Sequence, residues 1–376
     1  MIVASQDIHY QVVARDPALV TPELYRLWCE NLALHVAPEA HFHRLYRDAP
    51  EPSSTVFLLC AGTAEPAGSA EIVGSNGFSI RRFQLGSGID GRAAVSGDLV
   101  VARAHRTLLP ALCLVRAVLG HMVSEFAFCY GFPNHKAEGV MVRAGFRVLG
   151  KTTRYARVLR HAMYLPAVAA RLRASPRLAP IVGPATRHRR LGRALAPLFD
   201  IVRLAGRAPQ LARARSRYRI DWLDRVDARF DQLWDRARPE YNVIGARTAA
   251  MLRWRYPRCA IAALARSSDG VLVAYALIER DHASGAAHVR DVFGHKSALG
   301  PLLDLLLPGL WWRGATSVSV RLLGAPYLVA MLVERGFEPR PDRRTVVVQI
   351  GRGNEAARAR LEDAQAWHLT DLDEDT

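Results

Sequence analysis

The chain has 376 residues, of which 50% are hydrophobic and 23% charged, which excludes a disordered protein and gives enough length for two ordinary domains. No uninterrupted apolar stretch reaches about 18 residues, so we expect no membrane-spanning helix. The five cysteines are scattered without a CxxC pair, which argues against a disulfide framework or a zinc site and predicts a reduced, cytoplasmic compartment. Residues 151–219 hold seventeen basic residues and one acid, which accounts for the whole net charge of +16.

The first region opens with a predicted helix and continues with predicted strands. Apolar residues at helical spacing predict a helix over residues 22–34, and TVFLLC predicts a strand over 55–60. Residues 69–73 and 78–83 predict a hairpin, with the glycines between them marking its turn. The segment DLVVA, residues 98–102, predicts a short buried strand.

Helices and strands then alternate to the end of the first region. We predict a helix over residues 110–125, followed by a strand over 126–130. A second helix over 135–144 is followed by a strand near 146–158. Pro110 suits the first turn of its helix, where the missing N–H has no partner to lose. This order indicates a mixed α/β fold with a mostly antiparallel sheet flanked by helices.

The second region repeats the order of the first. We predict a helix over residues 221–236, then three strands, and then helix, strand, helix and strand up to residue 350. At a constant offset of 191 residues, Pro110 pairs with Pro301 and Gly145-Phe146 with Gly336-Phe337. The pairing indicates an internal duplication, with tandem domains over 1–159 and 219–376 and a basic helical linker over 160–218.

The segment Phe132-Pro-Asn134-His-Lys-Ala137, followed by Gly145-Phe146, resembles the closing motif of the GCN5-related N-acetyltransferase (GNAT) superfamily, of the GFPN subgroup. The resemblance implies that Asn134 ends the fifth strand and binds the pantetheine arm of coenzyme A or the adjoining helix. Capping of the following helix is the alternative role. The resemblance also implies that residues 98–111 and 126–134 form neighbouring strands that part and open a slot for that arm.

Residues 106–111 correspond to the pyrophosphate loop of the superfamily, which holds an anion on backbone N–H groups at a helix N-terminus. Arg106 and Ala111 match the family pattern, whereas Leu109 replaces its glycine and Pro110 removes one N–H. For Arg106, a solvated loop charge is the alternative. The resemblance assigns cofactor binding to Leu99, Val100, Val101, Arg106, Thr107, Leu108, Leu109, Ala111 and Asn134.

The catalytic residues are less clearly marked. The usual acid of the family, a Tyr seven residues after the Asn, is Met141 here, and Tyr130 is a candidate replacement. Asp98 and Glu71 are the acids closest to the expected cleft, and either can act as base directly or through water. A strand-end or turn position without chemistry is the alternative for both carboxylates.

The second copy keeps fewer of these features. Gly300 retains the loop glycine, but the loop arginine is lost and Ala325 replaces the asparagine. We therefore predict that this half helps to form the acceptor cleft and is not a second cofactor site. The candidates for acceptor recognition are Arg247, Trp254 and Arg255, and anchoring of its own helix is the alternative role of Trp254.

The linker over 160–218 contains helix-like pieces such as 191–204, with apolar residues on one side and arginines on the other. It is a solvated bracket packed on the two domains, a segment lying on an anionic membrane surface, or a nucleic-acid-binding segment. Few aromatic residues separate the arginines, which argues against base stacking and against tRNA as a partner. The expected location is cytoplasmic. If the linker lies on an anionic membrane surface, the protein is expected at the inner face of the membrane.

The resemblance implies an acyl-CoA-dependent N-acyltransferase, with acetyl-CoA or another acyl-CoA as co-substrate and no metal. Its acceptor would be an amine of a small molecule or an amino sugar. Two alternatives remain open. A Fem-type aminoacyl-tRNA-dependent transferase also has two GNAT-like halves, although its long coiled-coil arm is not visible here. A catalytically inactive GNAT-like binding protein would explain Leu109 and Met141.

Overall fold

A computed structural model describes residues 8–19, 22–52, 55–62, 71–86, 88–163, 206–341 and 343–374. Within these ranges the first half forms strands β1 His9–Arg15, β2 Val56–Gly62, β3 Glu71–Gln84, β4 Asp90–Val101, β5 Phe128–Gly131, β6 Arg147–Lys151 and β7 Thr153–Val158. Its helices are α1 Pro22–Asn31, α2 Pro38–Phe42, α3 Leu108–Glu125 and α4 Glu138–Ala144. A π-helical turn, His43–Arg47, continues α2.

The described part of the second half forms strands β8 Tyr218–Leu223, β9 Val243–Gly245, β10 Ala260–Arg266, β11 Leu272–Arg280, β12 Ala287–Gly294, β13 Ser317–Gly324, β14 Glu338–Arg340, β15 Thr345–Ile350 and β16 Trp367–Leu369. Its helices are α5 Ala208–Arg217, α6 Arg229–Ala237, α7 Ala249–Arg255, α8 Lys296–Trp312, α9 Pro326–Glu334 and α10 Glu355–Glu362.

The two halves build the same sheet strand for strand. The first has the order β1-β2-β3-β4-β5-β15-β6, and the second has the order β8-β10-β11-β12-β13-β7-β14. In both, the first four strands are antiparallel, the fourth and fifth are parallel, and the sixth is antiparallel to the fifth. The predicted mixed α/β fold, with one arrangement present in two copies, is confirmed.

The sixth strand of each sheet comes from the other half of the chain. Strand β15 pairs with β5, with Val348 opposite Tyr130, and β7 pairs with β13, with Tyr155 opposite Val320. The sequence analysis did not anticipate this reciprocal exchange. Each sheet therefore contains strands from both sides of the boundaries predicted at 159 and 219.

Glycines end the equivalent helices α4 and α9. Gly145 has φ 125° and Gly336 has φ 75°, backbone conformations that L-residues with side chains rarely adopt. In each case the next residue is a buried phenylalanine whose N–H donates back into the helix, from Phe146 to Met141 and from Phe337 to Leu332. The same local device at an offset of 191 supports the internal duplication.

Helices cover both faces of each sheet. In the first half, α3 packs its buried stripe on one face, against a core that contains Phe78, Ala94 and Cys129. The helices α1 and α2 cover part of the other face, around the fully buried Trp28. Helix α3 is long and apolar enough to cross a membrane by length and composition alone, which the sequence analysis did not expect. Its buried stripe lies on the sheet.

Short pairings and one aromatic anchor join the halves. Strand β9 pairs with β3 on one side and with β16 on the other, and β16 pairs with β13. Near this seam, the Trp254 indole N–H donates to the carbonyl oxygen of Arg44 at 2.8 Å, and the Arg81 guanidinium lies 4.7 Å from the centre of the Trp254 rings. Trp254 thus anchors α7 to the first half.

Two predicted elements are wrong. Residues 69–83 do not form a hairpin, because the chain runs straight through Gly74 and Gly77 within the single strand β3. Residues 218–223 are the strand β8 paired with β10, and only the later part of the predicted helix over 221–236 is helical, as α6. The helix-like linker piece at 191–204 lies outside the described residues.

Candidate active site

The strands β4 and β5 part at a defined point. They pair in parallel from Ala93 opposite Phe128 to Ser96 opposite Gly131. Strand β4 then continues to Val101, whereas β5 ends and the chain leaves through Phe132. Among the described strands, none takes the place of β5 alongside the last residues of β4. This gap is called the slot below.

A β-bulge lies where the slot opens. In the pairing of β3 with β4, Gly77 is opposite Gly97 and Ser75 is opposite Val100, so Asp98 and Leu99 share one partner position, that of Asn76. Asp98 has φ 52°, which is uncommon for a residue other than glycine. Backbone strain of this kind persists only where surrounding contacts hold it.

Two side chains from the helical cover hold the Asp98 carboxylate. His41 Nε2 lies 2.9 Å from Asp98 Oδ1, and the Tyr46 hydroxyl donates to Asp98 Oδ2 at 2.8 Å. The side chains of His41 and Asp98 are 15% and 10% exposed, so the pair is largely shielded from water. The edge of the His41 ring also meets Trp28, at a centroid distance of 5.6 Å.

Gly77 makes room for this arrangement. A Cβ atom on Gly77 would lie 1.9 Å from the Tyr46 hydroxyl oxygen, so only glycine lets the phenol lie over β3 and reach Asp98. Trp28 is fixed in turn by a 2.8 Å hydrogen bond from its indole N–H to the Ser75 hydroxyl. The bulge, the glycine and the buried aromatic residues thus fix the position of His41.

A histidine held by a carboxylate is suited to accept a proton. When Nε2 carries the hydrogen that Asp98 accepts, Nδ1 is the basic atom of the ring. Asp98 also stabilises the imidazolium that would form. The sequence analysis selected Asp98 but missed His41 and Tyr46, because they lie more than fifty residues away in the chain and belong to no motif. The dense aromatic and histidine run at 41–46 was the only available signal.

The predicted cofactor residues lie along one edge of the slot. Leu99, Val100 and Val101 form the end of β4, and α3 begins just after Thr107. Arg106 folds back on this edge: its Nε donates to the Val101 carbonyl oxygen at 2.9 Å and its Nη2 to Asn31 Oδ1 at 2.7 Å.

The first turn of α3 is open at the surface. Leu108 and Leu109 are 49% and 61% exposed, while Pro110 is buried and Ala111 is partly buried. The N-terminus of an eighteen-residue helix favours an anion through its dipole and its unpaired N–H groups. The position suits a diphosphate, with one donor fewer than usual because of Pro110.

Asn134 and Met141 lie on the opposite edge of the slot. Asn134 is exposed, and its Oδ1 accepts from the backbone N–H groups of Lys136 and Ala137 at 2.9 and 3.0 Å. This is the capping role named as the alternative above. Met141 is buried, with its terminal methyl group 3.2 Å from the place of a Cβ on Gly131. A thioether there cannot protonate a leaving thiolate.

The structure does not bring three of the predicted site residues to the slot. Tyr130 is fully buried and its hydroxyl donates to the Asp373 carbonyl oxygen at 2.9 Å, so it is not available as an acid. Glu71 lies at the start of β3, five residues and about 16 Å of strand from the residue facing Asp98. Arg247 is fully buried, with guanidinium nitrogens 2.6 and 2.8 Å from the Asp373 carboxylate. An acceptor substrate therefore cannot contact it.

In the second half the equivalent slot is filled by the chain itself. Strands β12 and β13 pair only from Ala287 to Val289 and then part. The C-terminal segment lies between them: β16 pairs with β13, and His368 Nε2 donates to the Val292 carbonyl oxygen of β12 at 2.9 Å. The described second half therefore leaves no room for a pantetheine arm.

A cavity of about 1120 Å³ lies between the halves and borders the slot. Phe132, Pro133 and Asn134, which follow β5, form one wall, and the chain around Arg255 forms the other. Arg255 is only 4% exposed overall and packs over the Tyr256 ring at 5.4 Å. Trp254 does not line this cavity, in keeping with its anchoring contacts. Arg255 is thus the one predicted acceptor residue that faces the cavity.

Comparison by sequence gives no match to a protein family or to a curated protein. Comparison of structures gives clear matches. An Enterococcus faecalis protein described as a probable N-acyltransferase matches with a TM-score of 0.58 and 10% identity, over 91% of this chain and 72% of that one. GCN5-related N-acetyltransferases from Kribbella flavida and Anabaena variabilis match with TM-scores of 0.56 and 0.57, at 12% and 10% identity.

These two matches cover 94% and 91% of this chain and 74% and 73% of the matched chains. The similarity therefore extends over both halves and is not confined to one copy. At this level of identity it shows the fold. The chain has the tandem fold of GNAT proteins, as the Asn134-to-Phe146 motif and the internal repeat together predicted.

Proposed function

We propose that this protein is an acyl-CoA-dependent N-acyltransferase that transfers an acyl group, acetyl in the simplest case, directly to the amine of a small molecule or amino sugar. The observation that carries the proposal is the slot between β4 and β5, with Asp98 held at its mouth by His41 and Tyr46. The second half has the same strands with the slot filled, so the opening in the first half is a specific feature.

The slot residues fit a pantetheine arm. Beyond Ser96, β4 has no partner on the β5 side among the strands that the structure describes, so its backbone groups on that edge can bond an extended amide-containing chain as β5 would. Those N–H groups of Leu99–Val101 that point to this edge can polarise the thioester carbonyl. The diphosphate would lie at the first turn of α3, beside Arg106.

The His41–Asp98 pair supplies the proton transfer. His41 takes a proton from the ammonium of the acceptor, directly or through one water, and the freed amine nitrogen attacks the thioester carbonyl carbon. Collapse of the tetrahedral adduct breaks the carbon–sulfur bond, the amide nitrogen gives up its second proton to water, and coenzyme A is released. With Met141 in place of the usual acid, the sulfur leaves as a thiolate, which is a tolerable leaving group. The roles of Asp98 and Tyr46 are to position and stabilise the imidazole.

Isothermal titration with acetyl-CoA tests the cofactor site. We expect one binding site per chain, because the slot of the second half is filled. Arg106→Glu places a negative charge at the diphosphate position and should weaken binding at least about ten-fold. The control is Arg116→Glu, which reverses a charge at an exposed position further along α3 and should bind acetyl-CoA as the wild type does. Binding at two sites, or equal effects of both variants, would contradict the proposal.

The alternatives give different results in simple assays. A Fem-type transferase would retain tRNA in a salt-sensitive manner and would not bind acetyl-CoA. An inactive binding protein would bind acetyl-CoA without releasing free thiol when amines are added. Among these three functions, only acyl transfer predicts that coenzyme A thiol is released when an amine is added, which a thiol reagent measures.

A further inference from the structure

Basic residues outnumber acids in the lining of the cavity between the halves. Its described lining holds seven lysines and arginines and four acids. The basic residues come from both halves: Arg44 and Lys151 from the first, and Arg255, Arg258, Arg290, Arg343 and Arg344 from the second. A cavity with an excess of one charge and low-dielectric walls concentrates ligands of the opposite charge. The chemistry of this space therefore favours an anion.

The acids of the cavity are already engaged. Arg290 lies 2.7 Å from Glu279 and 2.6 Å from Asp371, and Arg344 pairs with Glu374. The fourth acid, Glu138, accepts a 2.8 Å hydrogen bond from the Thr345 hydroxyl. Three of the four acids are thus paired with Arg290 and Arg344, which leaves five of the seven basic residues.

Three of the remaining basic residues have no ion-pair partner within the described part of the chain. They are Lys151, Arg258 and Arg343, and all three are exposed. Arg258 follows α7 of the second half, whereas Lys151 and Arg343 lie beside each other at the edge where β6 meets β15. Positive charge without internal compensation therefore faces the cavity from two directions.

The cavity lies next to the chemistry. It is bordered by the residues that follow β5 at the point where β4 and β5 part. Arg44, which lines it, lies one helical turn after His41. A molecule with an anionic group in the cavity would thus have its other end near the mouth of the slot, where the acyl group is transferred.

We propose that the cavity binds a phosphate or diphosphate group of the acceptor, so that the substrate is a phosphorylated amine such as an amino-sugar phosphate. This inference rests on the proposed acyl transfer and names its substrate class. Guanidinium groups bind phosphate oxygens through paired hydrogen bonds, and Arg258 and Arg343 can do so without leaving an acid. The volume is also larger than a simple amine needs.

The test measures inorganic pyrophosphate binding by titration in the presence of saturating coenzyme A, which occupies the diphosphate position at α3. The double variant Arg258→Glu/Arg343→Glu should weaken pyrophosphate at least about ten-fold and leave acetyl-CoA affinity unchanged. The control is Arg213→Glu/Arg215→Glu on α5, which makes the same change in net charge at exposed positions outside the cavity. It should leave both affinities unchanged.

Several outcomes would overturn the inference. They are absence of pyrophosphate binding, equal weakening by the cavity and control variants, or loss of acetyl-CoA affinity in the cavity variant, which would make the cavity a cofactor site. Tighter binding of succinate than of pyrophosphate would show that the cavity selects carboxylate groups and not phosphate groups. Failure of the proposed function is seen separately, since the wild type would then not bind acetyl-CoA at all.

A kinetic comparison completes the test for an amine that is turned over. Glucosamine 6-phosphate should have a higher kcat/KM than glucosamine in the wild type, and the advantage should disappear in the cavity variant through a raised KM with little change in kcat. An unchanged preference in the cavity variant would contradict the assignment.

Discussion

At the residue scale, the pair of His41 and Asp98 carries the sharpest prediction. His41→Gln removes the basic nitrogen but keeps a polar side chain, and Asp98→Asn keeps the shape but loses the negative charge. Each should lower kcat by about 10²- to 10⁴-fold with little change in acetyl-CoA affinity, because the lost contribution is proton transfer. The measurement is thiol release together with titration of acetyl-CoA.

The pH profile separates a catalytic role of His41 from a purely structural one. The wild-type rate should fall on the acid side as the imidazole becomes protonated, and this fall should disappear in His41→Gln. A variant that keeps the same acid limb at reduced rate would show that another group is the base.

Gly77 gives a second prediction at this scale. In Gly77→Ala the new methyl group overlaps the Tyr46 hydroxyl, so the phenol must move and its bond to Asp98 is lost. We expect a loss of about 1–3 kcal/mol in the free energy of unfolding, together with reduced activity. Gly120→Ala on α3 meets no atom within 4 Å and should instead stabilise the protein by up to about 1 kcal/mol. Urea unfolding measures both.

These residues also show the limits of sequence reasoning. Gly74 and Gly77 carry the usual signal of a turn, yet both lie inside β3, where they permit close contact with the Val100 carbonyl oxygen and with Tyr46. Asp98 was identifiable as an acid near the end of a strand. Its partner His41 was not, since the contact arises only when a helix packs across the sheet.

At the element scale, the C-terminal segment that fills the second slot makes stability depend on pH. Burial, together with the nearby Arg247 charge, holds the pKa of His368 down at about 3. The folded protein therefore keeps this ring neutral, while the unfolded chain protonates it below about pH 6.5. Because the unfolded state binds more protons, stability falls as pH drops from about 6.5 towards 3, by up to about 1.4 kcal/mol per unit.

The variant His368→Asn should remove that dependence. The difference in unfolding free energy between the wild type and this variant should become about 2 kcal/mol smaller when the pH is lowered from 7 to 5. His282→Asn, at an exposed turn, serves as the control and should leave the wild-type pH dependence unchanged. Parallel stability curves for wild type and His368→Asn would contradict the role assigned to this histidine.

The order of elements was largely predictable, because apolar periodicity and glycine or proline boundaries are local. The strand β8 was missed, although Tyr218, Ile220 and Trp222 alternate with polar residues as expected of the strand that pairs with β10. The origin of the sixth strand in each sheet was also beyond reach. Either copy offers a suitable strand, and only the packing of the two halves selects between them.

At the scale of the whole molecule, the strand exchange predicts that the halves stay together without a continuous chain. When residues 1–163 and 206–376 are produced together as separate chains, they should assemble into a one-to-one complex, because each sheet needs the sixth strand of the other half. Size-exclusion chromatography with mass measurement tests this. Recovery of two stable separate monomers would show that each half can use its own strand.

The position of β15 also has a consequence during synthesis. The edge of β5 that it covers is complete by residue 131, but the strand that protects it ends at residue 350. Until that point leaves the ribosome, the nascent first half presents an open sheet edge beside a largely finished core. Unprotected edges of this kind invite association with other chains, so the interval between the synthesis of residue 131 and that of residue 350 is when this protein most needs a chaperone.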